Sequence, residues 1–176
     1  MTDTLILGID PAIDIGKPMA MILVHFNGDR TAKNWCDGRV GDKYIKDRVS
    51  TWGTMLYAML KVCRENHGRY PDMVAIEDVR ARGRGGSHLE TLITCLCEEA
   101  DALGIRCEKI HPATVKKEAT GNGKASTEEV ATFVRFEYVG MDKVPVVAGE
   151  YDIEMAAAIA GAGYAMIQKE ALEARS

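Results

Sequence analysis

The sequence predicts an α/β protein in which a mixed five-stranded sheet, with antiparallel hairpin strands followed by parallel strands, is flanked by helices. An apolar run at 19–26 precedes Asn27 and Gly28, a pair typical of a tight β-hairpin turn, so the next segment should return antiparallel. Apolar residues at three- and four-residue steps over 44–65 predict an amphipathic helix, and the apolar run at 73–79 predicts a strand after it. Strands that alternate with helices in this way are typical of the parallel part of a sheet.

Turn and capping signals place the remaining elements. Ser87 is a candidate helix N-cap, and Gly104 ends the helix that it opens. Pro112 opens a short helix, and Ser126 or Thr127 begins the next one. The predicted strands are 5–9, 19–26, a return strand through Trp35, 73–79 and 105–110, and the predicted helices are 44–65, 87–104, 112–120, 126–138 and 150–174.

Length and composition bound the class of protein. The 176 residues predict one domain, residues 1–176, and an apolar content of 47% is enough for its core. No apolar run reaches the roughly 18 residues that span a bilayer, so we expect no contact with a membrane. Because no basic, cleavable leader stands before the first apolar run, we expect a cytoplasmic protein. Five cysteines at irregular spacing predict reduced thiols rather than a disulfide framework.

The charged residues are unevenly distributed. A net charge of −4 does not by itself indicate a nucleic-acid partner, but three arginines share one glycine-rich stretch and several lysines gather in another. A chain with this distribution is able to present a basic groove around an acidic pocket. A solvated charged face is the simpler interpretation of any one run. The candidate DNA-binding residues are Arg80, Arg82, Arg84, Lys116, Lys117 and Lys124.

Four acidic residues fall where such a fold can bring them together. Asp10 follows the apolar run of the first predicted strand, and Glu77 stands at the carboxyl end of the predicted strand 73–79, which should lie beside it. The carboxyl ends of adjacent strands are the usual site of chemistry in open sheets. Asp152 and Glu154 stand at the start of the last predicted helix, about 200° apart around its axis. Both can reach one pocket only if Asp152 lies at or before the first turn.

Clustered carboxylates suit a hard divalent cation. Mg²⁺ prefers oxygen ligands from carboxylates, water and phosphate. Two such ions roughly 4 Å apart activate a water and stabilise the leaving oxygen in phosphodiester hydrolysis. Without a cation the carboxylates would repel one another, and each would raise its neighbours' pKa. The pattern therefore indicates metal-dependent chemistry, although each acid taken alone is equally typical of a strand end or a helix start.

Four stretches carry a family resemblance. They are LGIDPA at 7–12, VAIEDV at 74–79, HPATVKK at 111–117 with TGNGKA at 120–125, and DIEMAA at 152–157. In order and approximate spacing, over nearly the whole chain, they resemble RuvC-type Holliday junction resolvases of the ribonuclease H-like superfamily. The resemblance implies a homodimeric endonuclease of DNA recombination and repair that binds four-way or branched DNA. It would nick two strands symmetrically with two Mg²⁺ ions per active site, for which Mn²⁺ can substitute.

The resemblance also implies the site residues. Asp10, Glu77, Asp152 and Glu154 would be the catalytic residues and metal ligands, with Glu154 at the position of the family's last aspartate. Two departures from the family pattern stand out. Tyr151, a poor metal ligand, is found three residues before Glu154, where the family has an acid. Thr127 replaces the second of two lysines, of which Lys116 matches the first, and Lys124 could cover the lost position.

Two alternatives remain open from the sequence. One is a ribonuclease H-like nuclease of broader branched-DNA or RNA–DNA hybrid specificity, which keeps the metal site but relaxes the choice of substrate. The other is a junction-binding protein without catalysis, which the altered spacing of the acids would favour. A comparison of the cleavage of a mobile four-way junction with the cleavage of an RNA–DNA hybrid distinguishes these alternatives.

Overall fold

The chain forms one six-stranded sheet that carries helices on both faces, as described by a computed structural model for residues 3–12, 18–39, 45–78, 84–145 and 150–176. In these ranges no helix is both long and apolar enough to cross a membrane. The strands are β1 (Thr4–Asp10), β2 (Pro18–Phe26), β3 (Arg30–Arg39), β4 (Met73–Glu77), β5 (Arg106–Ile110) and β6 (Tyr138–Val139). The α-helices are α1 (Ile45–His67), α2 (Arg84–Ala102), α3 (Pro112–Thr120), α4 (Thr127–Glu137) and α5 (Asp152–Glu173), and a 3₁₀ helix spans Met141–Lys143.

The strand order is β5-β4-β1-β2-β3-β6. The β1–β2 and β2–β3 pairs are antiparallel, and β4 and β5 continue the sheet in parallel on the other side of β1. The predicted hairpin and the predicted mixed sheet are therefore confirmed. The sheet has six strands rather than the predicted five because the two-residue strand β6 pairs with the start of β3. A strand this short leaves no period-two pattern in the sequence.

The register of the parallel strands sets the position of the first two acids. Ile9 of β1 lies opposite Ile76 of β4. Asp10 and Glu77 are each one residue further along, so they lie next to each other at the end of their strands. At β5 the register puts Glu77 opposite Ile110, after which the chain turns into α3. The carboxyl edge of the parallel strands thus carries two acids and the start of a helix.

The two faces of the sheet have different cores. Helices α3, α4 and α5 pack on one face, where α5 contributes a run of buried alanines. Helices α1 and α2 pack on the other, where Trp52, Leu56 and Leu92 meet the large side chains of the central strands. The contact between β1 and α5 is very close, since a Cβ atom at Gly8 would lie 2.0 Å from the Ala156 carbonyl oxygen.

Two further features differ from the prediction. Helix α2 begins at Arg84, three residues before the predicted cap Ser87. Cys97 of α2 and Cys107 of β5 form a disulfide, so the prediction that all cysteines are reduced is wrong for this pair. The short turn after α2 brings their Cα atoms to 5.3 Å, within the range that a disulfide requires, a distance that sequence spacing alone does not show.

Candidate active site

A cleft of about 550 Å³ opens at the carboxyl edge of β1 and β4. It lies between this edge and the first turns of three helices. Its lining residues are Asp10, Glu77, Pro112, Lys116, Thr127, Tyr151, Asp152 and Met155. Segments far apart in the sequence therefore contribute to one concave, polar site.

Three of the four predicted acids meet in this cleft. Asp10 ends β1, Glu77 ends β4, and Asp152 is the first residue of α5. The strand-end acids are brought together by the parallel register, and Asp152 is added because α5 packs along β1 through Gly8. Three of the four acids that the sequence predicted to share a site therefore line one cleft.

The cleft acids disfavour one another's ionised form. Burial raises the pKa of Asp10 well above its usual value, and the neighbouring carboxylates of Glu77 and Asp152 raise it further. Burial also raises the pKa of Glu77, while the Lys116 ammonium acts in the opposite direction. Without a cation the cluster therefore carries an electrostatic cost that a bound metal ion would relieve.

Local capping positions the cationic and hydroxyl groups. His111 is the N-cap of α3, and its Nδ1 accepts a hydrogen bond of 3.2 Å from the Ala113 amide. Lys116 follows one turn later, half-buried, with its charge acting on Glu77. Thr127 opens α4 after Ser126, whose hydroxyl accepts a hydrogen bond from the Glu129 amide at 3.1 Å as part of a capping box. Both helices therefore present their first turns to the cleft.

The structure does not bring Glu154 to the cleft. Its side chain is buried, with the residue 2% exposed, and its carboxylate forms an ion pair with Arg135 of α4. The expectation that Asp152 and Glu154 share a pocket is therefore corrected. Asp152 lies in the first turn, but its backbone is already helical, so the rotation of about 200° between the two side chains directs them to opposite sides of α5.

Sequence reasoning missed Met155 as a lining residue. It follows Asp152 by three positions, and helical spacing puts such residues on one face. Its thioether is a poor ligand for Mg²⁺, which prefers oxygen. In the described part of the chain the cleft therefore holds three carboxylates rather than four. The helical spacing could have identified Met155, had Asp152 been taken as the reference rather than Glu154.

The predicted DNA-binding residues are distributed unevenly. Lys116 lines the cleft, whereas Lys117 and Lys124 are exposed and lie outside its lining. Lys124 stands in the turn between α3 and α4, where its amide donates to the Asn122 side chain at 3.0 Å. Arg80 and Arg82 lie outside the described residues. Arg84 opens α2, and its side chain is likewise outside the description.

The residues of the cleft fit a divalent metal ion held in an open site. Within the described ranges, no group of three or more acidic, histidine or cysteine side chains stands close enough together to hold a metal ion by itself. Mg²⁺ commonly takes only one or two carboxylates from the protein and completes its shell with water and substrate phosphate. The carboxylate oxygens of Asp10, Glu77 and Asp152, which line the cleft together, are donors of the kind that such an ion requires.

The fold of this chain is shared with solved structures of other proteins. The chain is similar to RuvC of Thermus thermophilus, with 22% identity over 93% of this chain and 96% of the other and a TM-score of 0.72. It is also similar to T. thermophilus RuvC in complex with a Holliday junction substrate, with 22% identity, coverage of 94% and 96%, and a TM-score of 0.74.

A yeast structure is more distant. The chain and the yeast mitochondrial Holliday junction resolvase share 16% identity over 89% of this chain and 76% of the other, with a TM-score of 0.60. No protein-family model and no curated protein sequence matches the chain. The likeness is therefore one of three-dimensional structure, and it confirms the predicted fold class.

Proposed function

We propose that this protein is a metal-dependent endonuclease that resolves four-way DNA junctions by paired, symmetric phosphodiester hydrolysis, as a cytoplasmic homodimer. The observation that carries the proposal is the convergence of Asp10, Glu77 and Asp152 beside Lys116 in one cleft of a RuvC-like fold. A structural neighbour, T. thermophilus RuvC, has been solved with a Holliday junction substrate, which supports this class of DNA as the substrate.

The three carboxylates would hold the metal. Bound Mg²⁺ or Mn²⁺ would supply Lewis acidity toward the scissile phosphate and lower the pKa of a nucleophilic water. Glu77 and Asp152 both raise the pKa of Asp10, so Asp10 interacts with both of the other acids. The family resemblance implies that Asp10 would serve both ions. We therefore assign Asp10, Glu77 and Asp152 as ligands of the two ions that the family resemblance implies, with DNA oxygens completing their shells.

The basic residues would bind the DNA backbone. Lys116 lies at the cleft and would offset the charge of the scissile phosphate, while the exposed Lys117 and Lys124 would contact flanking phosphates. Arg80, Arg82 and Arg84 follow Glu77 in the sequence and would extend this surface. Neutralising any of these charges should weaken binding and make the dependence on salt concentration less steep.

A cleavage assay tests the proposal. A synthetic mobile four-way junction is incubated with Mg²⁺ or Mn²⁺ and wild-type protein, Asp10→Asn or Asp152→Asn. Glu65→Gln serves as a matched control, because Glu65 is an exposed carboxylate on α1. We expect symmetric nicks with wild type and the control. Both cleft variants should lose at least about a thousandfold in rate while they still bind the junction in EDTA.

Three results would contradict the proposal. Efficient cleavage of an RNA–DNA hybrid or of many branched substrates would indicate the broader nuclease. Tight junction binding with no nicks in either metal would indicate a binding protein without catalysis. This outcome is worth testing because Met155, a poor ligand for Mg²⁺, lines the cleft. A monomer at assay concentrations in sedimentation experiments, with and without junction DNA, would exclude paired nicking by a homodimer.

A further inference from the structure

A buried ion pair links the start of α5 to α4. Glu154 is 2% exposed, and its carboxylate pairs with the guanidinium of Arg135, a half-buried side chain. Ion pairs at this depth are uncommon, because taking two charges out of water is costly. Removing either partner leaves the other charge without compensation in the protein interior. The mechanism proposed above makes no use of this pair.

The same guanidinium also binds the chain that leads toward α5. Arg135 Nη1 donates to the carbonyl oxygens of Met141 and Val144 at 3.3 and 3.5 Å, and Nη2 donates to that of Pro145 at 3.4 Å. One side chain therefore connects α4, the segment 141–145 and the first turn of α5.

The first turn of α5 lacks the usual side-chain cap. Tyr151 occupies the N-cap position and makes no side-chain cap hydrogen bond, although its carbonyl oxygen accepts from the Met155 amide at 2.8 Å. A capping side chain normally fixes where a helix begins and in which direction its first residues point. At α5 the Arg135–Glu154 ion pair joins the first turn to α4 at the place where the cap contact is absent.

Helix geometry couples this pair to the cleft. Asp152 and Met155 line the cleft, while Glu154, about 200° from Asp152, points to the other side of the helix. Rotation of the first turn about its axis would move both sides together. A contact that holds Glu154 therefore also sets the direction in which Asp152 points.

We propose that Glu154 is a positioning residue, whose ion pair with Arg135 sets the rotation of the first turn of α5 so that Asp152 faces Asp10 and Glu77. The inference rests on the proposed function, since it assumes that these three acids bind a metal ion. It differs from the assignment of Glu154 as a direct metal ligand. The two assignments predict opposite effects of Arg135→Gln on Mn²⁺ binding.

Mn²⁺ binding without DNA tests the inference, measured by electron paramagnetic resonance or calorimetry on the folded variants. We expect Glu154→Gln and Arg135→Gln each to weaken Mn²⁺ binding about tenfold, the usual size of an effect transmitted through an orienting partner. The matched controls are Glu170→Gln and Arg106→Gln, which break a bidentate ion pair of 2.7 Å at the other end of α5. The controls should leave Mn²⁺ affinity within about twofold of wild type, whatever they do to thermal stability.

The outcomes separate the alternatives. If Glu154→Gln weakens Mn²⁺ binding and Arg135→Gln does not, Glu154 is a direct ligand and the inference is wrong. If both variants lower the melting temperature but bind Mn²⁺ as wild type does, the pair is only structural, and the inference is again wrong. If wild type and Asp152→Asn bind Mn²⁺ equally weakly, the metal site fails, and the proposed function fails with it.

Discussion

The two faces of the sheet are packed with side chains of different size. On the face covered by α1 and α2, large residues such as Trp52, Leu56 and Leu60 fill the space between helix and strand. On the face covered by α5, buried alanines and glycines occupy the corresponding positions. A Cβ atom at Gly8 would lie 2.0 Å from the Ala156 carbonyl oxygen, and one at Gly163 would lie 3.0 Å from the Ala75 Cβ. Small residues therefore let the backbone of α5 approach the sheet closely.

The difference explains where the cleft forms. Asp10 can meet Asp152 only if the start of α5 lies against the end of β1, which the small residues permit. On the α1–α2 face, large side chains separate the helices from the sheet. None of the three acids of the cleft lies on this face. Packing on the α5 face thus serves the site as well as stability, whereas packing on the other face serves stability.

The largest expected effect comes from Gly8→Ala. The added methyl group would overlap the backbone of α5, which cannot rotate away as a side chain could, so we expect a loss of about 3 kcal/mol in the free energy of unfolding. Because α5 must shift, Mn²⁺ affinity should fall at least about tenfold. Urea denaturation and Mn²⁺ titration measure the two effects. An unchanged Mn²⁺ affinity would show that the cleft does not depend on this contact.

Leu56→Ala probes the opposite face. Leu56 is fully buried between α1 and the sheet, and its truncation should cost about 3 kcal/mol through lost burial and the cavity left behind. In contrast to Gly8→Ala, this variant should bind Mn²⁺ as wild type does at a temperature where both are folded. A comparable loss of Mn²⁺ affinity would mean that the two faces are coupled, and the contrast between them would fail.

Asp10→Asn tests the electrostatic cost of the cleft. Because the folded-state pKa of Asp10 is raised from its ordinary 3.8, the metal-free wild type should lose stability as the pH rises from about 4 through the raised value. The variant lacks this loss and should be more stable by about 1–2 kcal/mol at pH 7. Thermal melts at several pH values in EDTA measure this. Added Mg²⁺ should stabilise only the wild type, and an equal gain in both proteins would place the metal elsewhere.

Met155→Asp has the smallest expected effect. It would place a fourth carboxylate on the cleft face of α5, and we expect Mn²⁺ affinity to rise about fivefold, close to 1 kcal/mol. Met155→Leu is the control, because it keeps the apolar character and size of the side chain. Calorimetric titration compares the two variants. No gain for Met155→Asp would mean that the side chain at this position does not reach the bound ion.

The sequence was sufficient to predict the parts of the molecule that depend on local pattern. The hairpin at Asn27 and Gly28 and the convergence of Asp10 with Glu77 both follow from strand signals and parallel pairing. These features could be predicted because each is specified within one or two short segments.

The remaining features depend on contacts between distant segments. Glu154 pairs with Arg135 of α4 away from the cleft, and nothing near Glu154 in the sequence indicates that partner. The Cys97–Cys107 disulfide likewise needs the docking of α2 against β5. Strand β6 exists only because its two residues reach the edge of β3. Tertiary contacts of this kind override local preference and leave no short-range signal.

The close contact between Gly8 and Ala156 also bears on the order in which the acids of the cleft come together. The contact joins β1 to α5 across nearly the whole sequence, and such long-range contacts form late, because a long loop must first be closed. During synthesis on the ribosome Asp10 and Glu77 emerge early, but Asp152 cannot join them until α5 has been made. A nascent chain therefore holds an incomplete set of cleft acids until the last helix docks.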